Sequence, residues 1–270
     1  MAEFRKLLIV GCGNMGGAML AGWLAAGVDP ARFAVLDPVL PAAPDGVALH
    51  RDPAEANGHD AVLLGFKPQQ LPELVASLQS LTGAGVTVFS LLAGIDLATL
   101  TRSFPAAGAH VRVMPNLAAR IGKSPVIMAE RGLDAAGRDA AHALFDQLGT
   151  ALWLDNEAHF DLVTALAGSG PGFVYRFIDA LAGAAAELGL ERDLAGRLAL
   201  ATVEGAAALA AAAEVAPADL ADRVASPGGM TREGLNVLDA DNALKSLLTM
   251  TLRATAEKGA ELGRAAQRKG

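Results

Sequence analysis

The feature that most constrains the fold is a glycine-rich turn between the first apolar run and the first helical pattern. Leu7–Val10 is typical of a buried strand, and the sequence Gly-Cys-Gly-Asn-Met-Gly follows it directly. Such a turn lets backbone amides approach a pyrophosphate, and the helix after it presents free N–H groups to phosphate. The sequence therefore predicts a dinucleotide site. Its predicted cofactor-binding residues in the turn are Gly11, Cys12, Gly13, Asn14, Met15 and Gly16.

Short runs rich in Val, Leu and Ile alternate with helical patterns over residues 1–155. The predicted strands are 7–10, 34–37, 61–66, 86–91, 111–114, 126–129 and 151–154. The predicted helices are 15–26, 69–81, 97–104 and 135–148. This alternation indicates an α/β fold with a largely parallel sheet and helices on both faces. Residues 1–155 are thus predicted to form a Rossmann-type dinucleotide-binding domain.

Beyond residue 155 the strand signals end and helical spacing takes over. Phe173, Phe177, Leu181, Ala184 and Leu188 recur at steps of three or four, which places them on one helix face. Residues 156–270 are therefore predicted to form an all-helical domain. Because this half has few large apolar side chains, a helix buried against a partner chain is consistent with it.

Composition excludes several classes of protein. The chain has 270 residues, 22 Lys+Arg against 29 Asp+Glu, a net charge of −7 and 4% aromatic residues. A nucleic-acid binder needs a cationic surplus and aromatic faces, so none is predicted. The single cysteine and five scattered histidines predict no disulfide and no metal site. No signal peptide is visible, and polar residues and glycines interrupt the uncharged run between Glu73 and Asp96, so we expect a cytoplasmic protein without a membrane partner.

Three residues near the predicted strand ends are further candidates for cofactor binding. Asp37 ends the second predicted strand about 20 residues after the glycine turn, as a ribose-binding acid does. Its carboxylate can accept hydrogen bonds from the ribose of NADH and would repel a 2′-phosphate; alternatively, it caps the turn into Pro38. Lys67, followed by Pro68, leaves the third predicted strand where it can meet phosphate, ribose or substrate, or can be a solvated surface lysine. Cys12 is interpreted as a small filler rather than a nucleophile.

Two glycine-rich segments interrupt the helical half. Residues 167–172 read Ala-Gly-Ser-Gly-Pro-Gly, which breaks a helix and leaves an open helix N-terminus at a cleft, or serves as a connector. Residues 226–231 read Ser-Pro-Gly-Gly-Met-Thr before another helical pattern. Here backbone N–H groups can converge on a carboxylate, and two hydroxyls lie beside them. The segment predicts a carboxylate-binding site.

Together these motifs resemble those of pyrroline-5-carboxylate reductases. The resemblance is carried by GCGNMG, FKPQ, MPN at 114–116, ALAGSGPGFVY and VASPGGMTREGLNVLD, in order along nearly the whole chain. It implies reduction of the cyclic imine 1-pyrroline-5-carboxylate to L-proline by hydride transfer from NADPH or NADH. It also implies a homodimer built by the helical domain, with larger assembly left open. The rival functions are a related imine or 3-hydroxyacid dehydrogenase and a non-catalytic nucleotide-binding protein.

The resemblance implies roles for particular residues. Thr231 is implied as the catalytic hydroxyl near the ring nitrogen, and Asn116 as a further cofactor-binding residue. The implied substrate-binding residues are Ser226, Gly228, Gly229, Met230 and Thr231. The chain also departs from the family pattern, because Leu117-Ala118 stands where relatives usually have Thr-Pro. Asp37 replaces the usual serine or other polar residue, which favours NADH over NADPH.

Overall fold

The computed structural model describes residues 4–267 and divides the chain into two compact units. The first unit comprises residues 1–168 together with 255–270, and the second comprises residues 169–254. All strands of the described residues lie in the first unit, and the second unit is helical. The predicted fold class, a dinucleotide-binding α/β domain followed by a helical domain, is confirmed.

Eight strands of the described residues form one sheet in the first unit. They are β1 Leu7–Val10, β2 Phe33–Leu36, β3 Ala48–His50, β4 Ala61–Leu64, β5 Thr87–Ser90, β6 Ala109–Met114, β7 Ser124–Arg131 and β8 Gly149–Trp153. The order across the sheet is β3-β2-β1-β4-β5-β6-β7-β8. Strands β1 to β6 are parallel, and β7 is antiparallel to β6 and parallel to β8. The first six strands follow the order of dinucleotide-binding sheets, in which the crevice lies where the order reverses.

In the described part of the first unit, four helices connect these strands, and a fifth follows the last strand. They are α1 Asn14–Ala25, α2 Leu71–Leu78, α3 Leu97–Ser103, α4 Ala135–Asp146 and the short α5 Phe160–Val163. The predicted helix at 69–81 is α2 extended by short 3-10 turns at both ends. The sequence analysis missed β3, because three residues that are only partly buried give no periodic signal.

The sheet is buried on both faces. Leu7 and Ile9 of β1 belong to one apolar cluster, and Leu8 and Val10 belong to the cluster on the opposite face. Alternate residues of a strand point to opposite faces, so a strand covered on both sides reads as a continuous apolar run. This is the physical reason why β1, β2, β4 and β5 were recognisable from the sequence.

The second unit buries few of its own apolar side chains. Its helices are α6 Gly170–Glu187, α7 Arg192–Ala212, α8 Pro217–Arg223, α9 Met230–Asp239 and α10 Ala243–Gln267, whose last residues belong to the first unit. Between residues 169 and 254 the buried apolar side chains are Ala195, Ala199 and Ala225. Larger side chains stay exposed, including Phe177 (49%), Leu181 (40%), Leu200 (55%), Leu209 (64%) and Leu248 (46%). A single copy therefore leaves much apolar surface of this unit in water.

Helix α7 is the only helix of the described residues that is long and apolar enough to cross a membrane. Only 11% of its most apolar 18-residue stretch is buried within the chain. Its sequence is alanine-rich, with Gly196 and Gly205 along it. Small side chains of this kind let another helix approach closely, so the composition equally suits a helix–helix interface.

The division between the units lies later in the chain than the boundary predicted at 155/156. Phe160 is 2% exposed and belongs to a core cluster of the sheet. Glu157 forms an ion pair with the buried Arg112 of β6, at 2.9 Å, and Arg112 also lies 3.8 Å from the centre of the Phe160 ring. A buried guanidinium requires such partners, which holds the start of the predicted helical domain on the first unit.

Candidate active site

The glycine turn between β1 and α1 is packed too closely against neighbouring backbone to admit a side chain at two of its positions. Gly11 has φ +84°, and a Cβ there would lie 2.9 Å from the backbone nitrogen of Phe66. A Cβ on Gly16 would lie 2.9 Å from the carbonyl oxygen of Gly11. Only glycine adopts this φ without strain, and only glycine fits where two backbone segments meet. The turn is therefore fixed by close packing on its inner side.

The outer side of the turn is open. Gly13 is exposed, and a Cβ there would meet no atom within 4 Å. Gly13 occupies the N-cap position of α1, so no capping side chain bonds the first N–H groups of the helix. Asn14 is exposed, whereas Met15 packs partly against the sheet core. An uncapped helix N-terminus beside open space fits a dinucleotide pyrophosphate, which would take hydrogen bonds from these backbone amides.

The turn lies at the point where the sheet order reverses. Strands β2 and β4 flank β1, and the chain leaves β4 at Gly65, where a Cβ would lie 2.5 Å from the Gly11 carbonyl oxygen. The Gly65 N–H donates to the carbonyl of Val10 at 2.8 Å. The carboxyl ends of β1 and β4 thus converge on the predicted crevice. Sequence analysis gave Gly65 no role, although a glycine at a strand end signals such a close approach.

Asp37 follows β2 and is 7% exposed. Its Oδ2 accepts from the N–H of Cys12 at 2.9 Å, and its Oδ1 accepts from the N–H groups of Val39 and Leu40 at 2.9 and 3.0 Å. The carboxylate therefore caps the turn after β2 and ties it to the glycine turn. Because each carboxylate oxygen has two lone pairs, Oδ2 keeps one acceptor site and Oδ1 keeps none. The turn-capping role expected as the alternative is thus present, and ribose binding by Asp37 stays a prediction.

Two other side chains lie beside Asp37. Arg51 donates from Nη1 to the Asp37 carbonyl oxygen at 2.6 Å and from Nη2 to the Pro41 carbonyl at 3.4 Å. A guanidinium therefore lies against the backbone of the turn that follows β2. The Cys12 thiol is buried, and burial, with a smaller contribution from Asp37, raises its pKa. A thiol held protonated is a poor nucleophile, in agreement with its interpretation as a filler.

Lys67 and Pro68 follow β4. Lys67 is exposed, and its backbone N–H donates to Oε1 of Gln70 at 3.1 Å. Pro68 begins the 3-10 turn Pro68–Gln70. Lys67 thus lies exposed near the end of β4. This position is compatible with contact to phosphate, ribose or substrate and equally with a solvated surface lysine.

Asn116 follows β6 and is 5% exposed. Its Oδ1 accepts from the N–H of Ala118, and its Nδ2 donates to the carbonyl of Ala167, both at 2.9 Å. Its backbone N–H donates to Oγ of Ser124 at 2.8 Å, and Ser124 is fully buried. Sequence analysis missed Ser124, because a lone serine before a proline carries no distinctive pattern.

The first glycine-rich segment of the helical half interrupts the helix as predicted, but α6 resumes within the segment at Gly170 rather than after it. Residues Thr164–Gly168 form a π-helical turn, Ser169 bends the chain, and α6 begins at Gly170. A Cβ on Gly168 would lie 3.3 Å from Sδ of Met114. Single π-helical turns inside helices are frequent at functional sites. The segment therefore packs against the carboxyl end of β6 as well as breaking the helix.

The second break, in the second unit, is a tight turn into a helix. The Gly229 N–H donates to the Ser226 carbonyl at 2.9 Å, and Gly228 has φ +71°. Pro227 followed by a glycine at positive φ is the signature of a type II turn. Gly229 caps α9 with no side-chain hydrogen bond, so the first N–H groups of this ten-residue helix lack a side-chain partner. The open helix N-terminus after the paired glycines is thus present, and carboxylate binding there stays a prediction.

The side chains around this turn are accessible. Ser226 and Thr231 are exposed, and Met230 is 94% exposed. Arg232 donates to Oδ1 of Asp222 at 2.7 Å and to the Ala225 carbonyl at 3.3 Å, which ties the start of α9 to the end of α8. The turn is thus held by a contact on one side, while its hydroxyls and amides face solvent.

Comparison with known proteins identifies the family. A family model described as "Pyrroline-5-carboxylate reductase dimerisation" matches residues 157–262, and one described as "NADP oxidoreductase coenzyme F420-dependent" matches residues 6–94. Pyrroline-5-carboxylate reductase from Pseudomonas aeruginosa is 35% identical over 265 residues, which cover 95% of this chain and 96% of that protein. The chain belongs to the pyrroline-5-carboxylate reductase family.

Further reductases of this family match along their whole length. The one from Methanosarcina acetivorans is 33% identical over 271 residues, covering 97% of this chain and 99% of that protein. The solved structure of the Coxiella burnetii reductase has a TM-score of 0.88 at 28% identity and covers 96% and 99% of the two chains. The dimerisation match begins at residue 157, next to the boundary predicted from the sequence, whereas compactness divides the chain after residue 168.

Proposed function

We propose that this protein reduces 1-pyrroline-5-carboxylate to L-proline with NAD(P)H, as the names of its relatives indicate for their reaction. The observation that carries the proposal is the turn at Ser226–Thr231, which leads into the uncapped α9 with Thr231 exposed. This arrangement suits a small imino acid that presents a carboxylate and a C=N bond. The glycine turn, Asp37, Lys67 and Pro68 form the proposed cofactor site.

The chemistry of the reaction fits these groups. The reduced nicotinamide, when bound, supplies a hydride to the imine carbon. The N–H groups at the start of α9 and the Ser226 hydroxyl would hold the carboxylate, since a helix N-terminus favours an anion. The Thr231 hydroxyl would hydrogen-bond the ring nitrogen, which becomes the amine of proline. When the imine binds already protonated, hydride addition completes the reaction and no strong acid is needed in the site.

We propose a homodimer built through the second unit. This unit leaves Phe177, Leu200 and Leu209 about half exposed or more, and the family model that matches it is described as a dimerisation domain. A second copy covering these side chains would remove apolar surface that a soluble protein rarely leaves exposed. The net charge of −7 and the relatives' type are consistent with a cytoplasmic enzyme that does not bind nucleic acid.

The test of the activity is direct. Purified protein is mixed with chemically prepared 1-pyrroline-5-carboxylate and NADH or NADPH, and loss of the reduced nicotinamide absorbance is followed with identification of proline. We expect stoichiometric proline formation. Turnover of a 3-hydroxyacid with NAD⁺ in place of the imine would favour the rival dehydrogenase function. Cofactor binding without turnover of either substrate would favour a non-catalytic protein.

We propose that NADH is the preferred cofactor, on the strength of Asp37. Its buried carboxylate keeps one acceptor site for a ribose hydroxyl, whereas a 2′-phosphate beside it costs on the order of several kcal/mol when partly desolvated. Arg51 lies on the Asp37 carbonyl and offsets part of this cost. We expect kcat/KM for NADH to exceed that for NADPH about tenfold. Asp37→Ser should narrow or reverse the ratio.

Initial rates with both cofactors at matched ionic strength measure this preference. Asp29→Ser is the matched control, because Asp29 caps an exposed 3-10 turn through a similar bond to Ala31 and its loss changes net charge equally. The control should leave the cofactor ratio unchanged. A clear preference of the unmodified protein for NADPH would contradict the role assigned to Asp37.

A further inference from the structure

The side chain of Asn116 makes two hydrogen bonds inside the chain. It lies at the carboxyl end of β6, it is 5% exposed, and its amide makes one bond as acceptor and one as donor. The acceptor bond caps the 3-10 turn Leu117–Ile121. The donor bond reaches 51 residues along the chain to Ala167. This long-range bond does not contribute to capping the 3-10 turn.

The Ala167 carbonyl needs a partner because of the sequence that follows it. In a continued α-helix this carbonyl would accept from the N–H of residue 171, but Pro171 has none. The next donor along the chain, the Gly172 N–H, bonds to the Ser169 carbonyl at 2.9 Å. Nδ2 of Asn116 supplies the bond that the helix break removes. An orphaned carbonyl at a helix break is costly, so this bond stabilises the break.

The side-chain oxygen of Asn116 accepts a hydrogen bond that depends on the residue at position 118. Ala118 has an N–H, which donates to Oδ1 of Asn116 at 2.9 Å. A proline at position 118, usual in the pattern that the family motif implies, could not make this bond. Ala118 therefore gives the Asn116 side-chain oxygen a partner inside the chain that proline could not supply.

We infer that Asn116 is a positioning residue, which braces residues 167–168 against the end of β6, and that its amide does not bind the cofactor. Gly168 packs on Met114 at the same place, so the brace joins two segments already in contact. The braced residues immediately precede Ser169, where the helix breaks and the second unit begins. The loss of turnover expected without this brace rests on the proposed reductase function, whereas the expected change in amide hydrogen exchange does not.

Asn116→Ser tests the inference. Serine is a good N-cap and can still accept from the Ala118 N–H, but its hydroxyl is too short to reach the Ala167 carbonyl. We expect amide hydrogen exchange in residues 164–170 to quicken about tenfold, the effect of losing one hydrogen bond. We also expect kcat/KM for the imine acid to fall about tenfold or more, with the dissociation constant of NAD(P)H changed less than about twofold, since misplacement of a remote segment affects turnover.

Asn156→Ser is the matched control. Asn156 accepts from the N–H of Ala158 at 2.9 Å in the same i, i+2 pattern, at an exposed turn outside the proposed site. We expect this variant to leave exchange at residues 164–170, cofactor affinity and turnover at the unmodified values.

Ala118→Pro separates the two bonds of Asn116. It removes the N–H that bonds to Oδ1 and leaves the donor bond to Ala167 in place. Position 118 lies in the first turn of a 3-10 helix, where proline is tolerated. We expect exchange at residues 164–170 to stay at the unmodified rate. If Ala118→Pro reproduces the loss seen in Asn116→Ser, the brace is overturned and the acceptor side matters instead.

The outcomes distinguish this inference from the proposed function. A rise of tenfold or more in the dissociation constant of NAD(P)H in Asn116→Ser would make Asn116 a cofactor ligand and overturn the inference. Unchanged exchange at residues 164–170 would also overturn it. If the unmodified protein does not reduce the imine, the proposed function fails, while the exchange and cofactor-binding measurements still decide the role of Asn116.

Discussion

Thr231→Ala is expected to lower kcat and kcat/KM for the imine acid together, by about 10- to 1000-fold. Thr231 is the second residue of α9, directly after the turn with paired glycines, and its side chain is exposed. The change keeps every backbone amide that would hold the carboxylate, and it removes the γ-methyl together with the hydroxyl proposed to meet the ring nitrogen. A donor needed mainly in the transition state affects the rate constant more than ground-state binding.

Three measurements complete this test. The dissociation constant of NAD(P)H, obtained by titration, should hardly change, because the cofactor residues lie elsewhere. The melting temperature should also hold, since an exposed side chain carries little packing energy. Thr231→Ser, which restores the hydroxyl, should recover most of the turnover. Near-normal rates in Thr231→Ala would show that shape and backbone amides suffice.

Gly11→Ala is expected to weaken NAD(P)H binding by about 100-fold and to lower the melting temperature. The added Cβ would lie 2.9 Å from the Phe66 nitrogen and 3.1 Å from the Gly65 carbonyl carbon, so backbone must move. Gly11 also has φ +84°, which costs a side-chain-bearing residue about 1 kcal/mol. A shift of the turn by even 1 Å would displace the amides proposed to bind the pyrophosphate, an error that costs on the order of 100-fold.

Gly27→Ala is the control that distinguishes backbone strain at a glycine from displacement of the glycine turn. Gly27 has φ +85°, follows the end of α1 and is exposed, and a Cβ there would meet no atom within 4 Å. It therefore suffers the same backbone strain without a clash at the turn. We expect a modest loss of stability and an unchanged dissociation constant for NAD(P)H. An unchanged dissociation constant in Gly11→Ala as well would refute the role of the turn in cofactor binding.

Much of the first unit follows from local sequence. The strands β1, β4 and β5 are short apolar runs because both faces of the sheet are covered, and this signal needs no knowledge of neighbours. The glycine turn is recognisable because its conformation excludes other residues. The same holds for the type II turn at Pro227-Gly228. Conformational limits of single residues are thus readable directly.

The surroundings of side chains were less predictable. Asp37 was expected either to bind ribose or to cap a turn, and only the fold brings the Cys12 N–H to its Oδ2 across 25 residues. The family motif implied a cofactor role for Asn116, and only the fold shows that its amide also bonds to the Ala167 carbonyl. Phe160 was assigned to the helical domain, and Arg112 of β6 holds it in the first unit. Each of these contacts joins residues far apart in the chain, which no local pattern records.

The sequence by itself determined the α/β and helical halves, the glycine turn, the two helix breaks and the family, because each depends on residue type over a few consecutive positions. The tertiary structure decided which backbone N–H groups bond to the Asp37 carboxylate, where the first unit ends, and which two backbone groups bond to the Asn116 amide. The reason is that a buried polar group must find its partner wherever the fold supplies one. Periodicity and propensity specify elements, whereas the pairing of buried donors and acceptors is settled only when those elements pack.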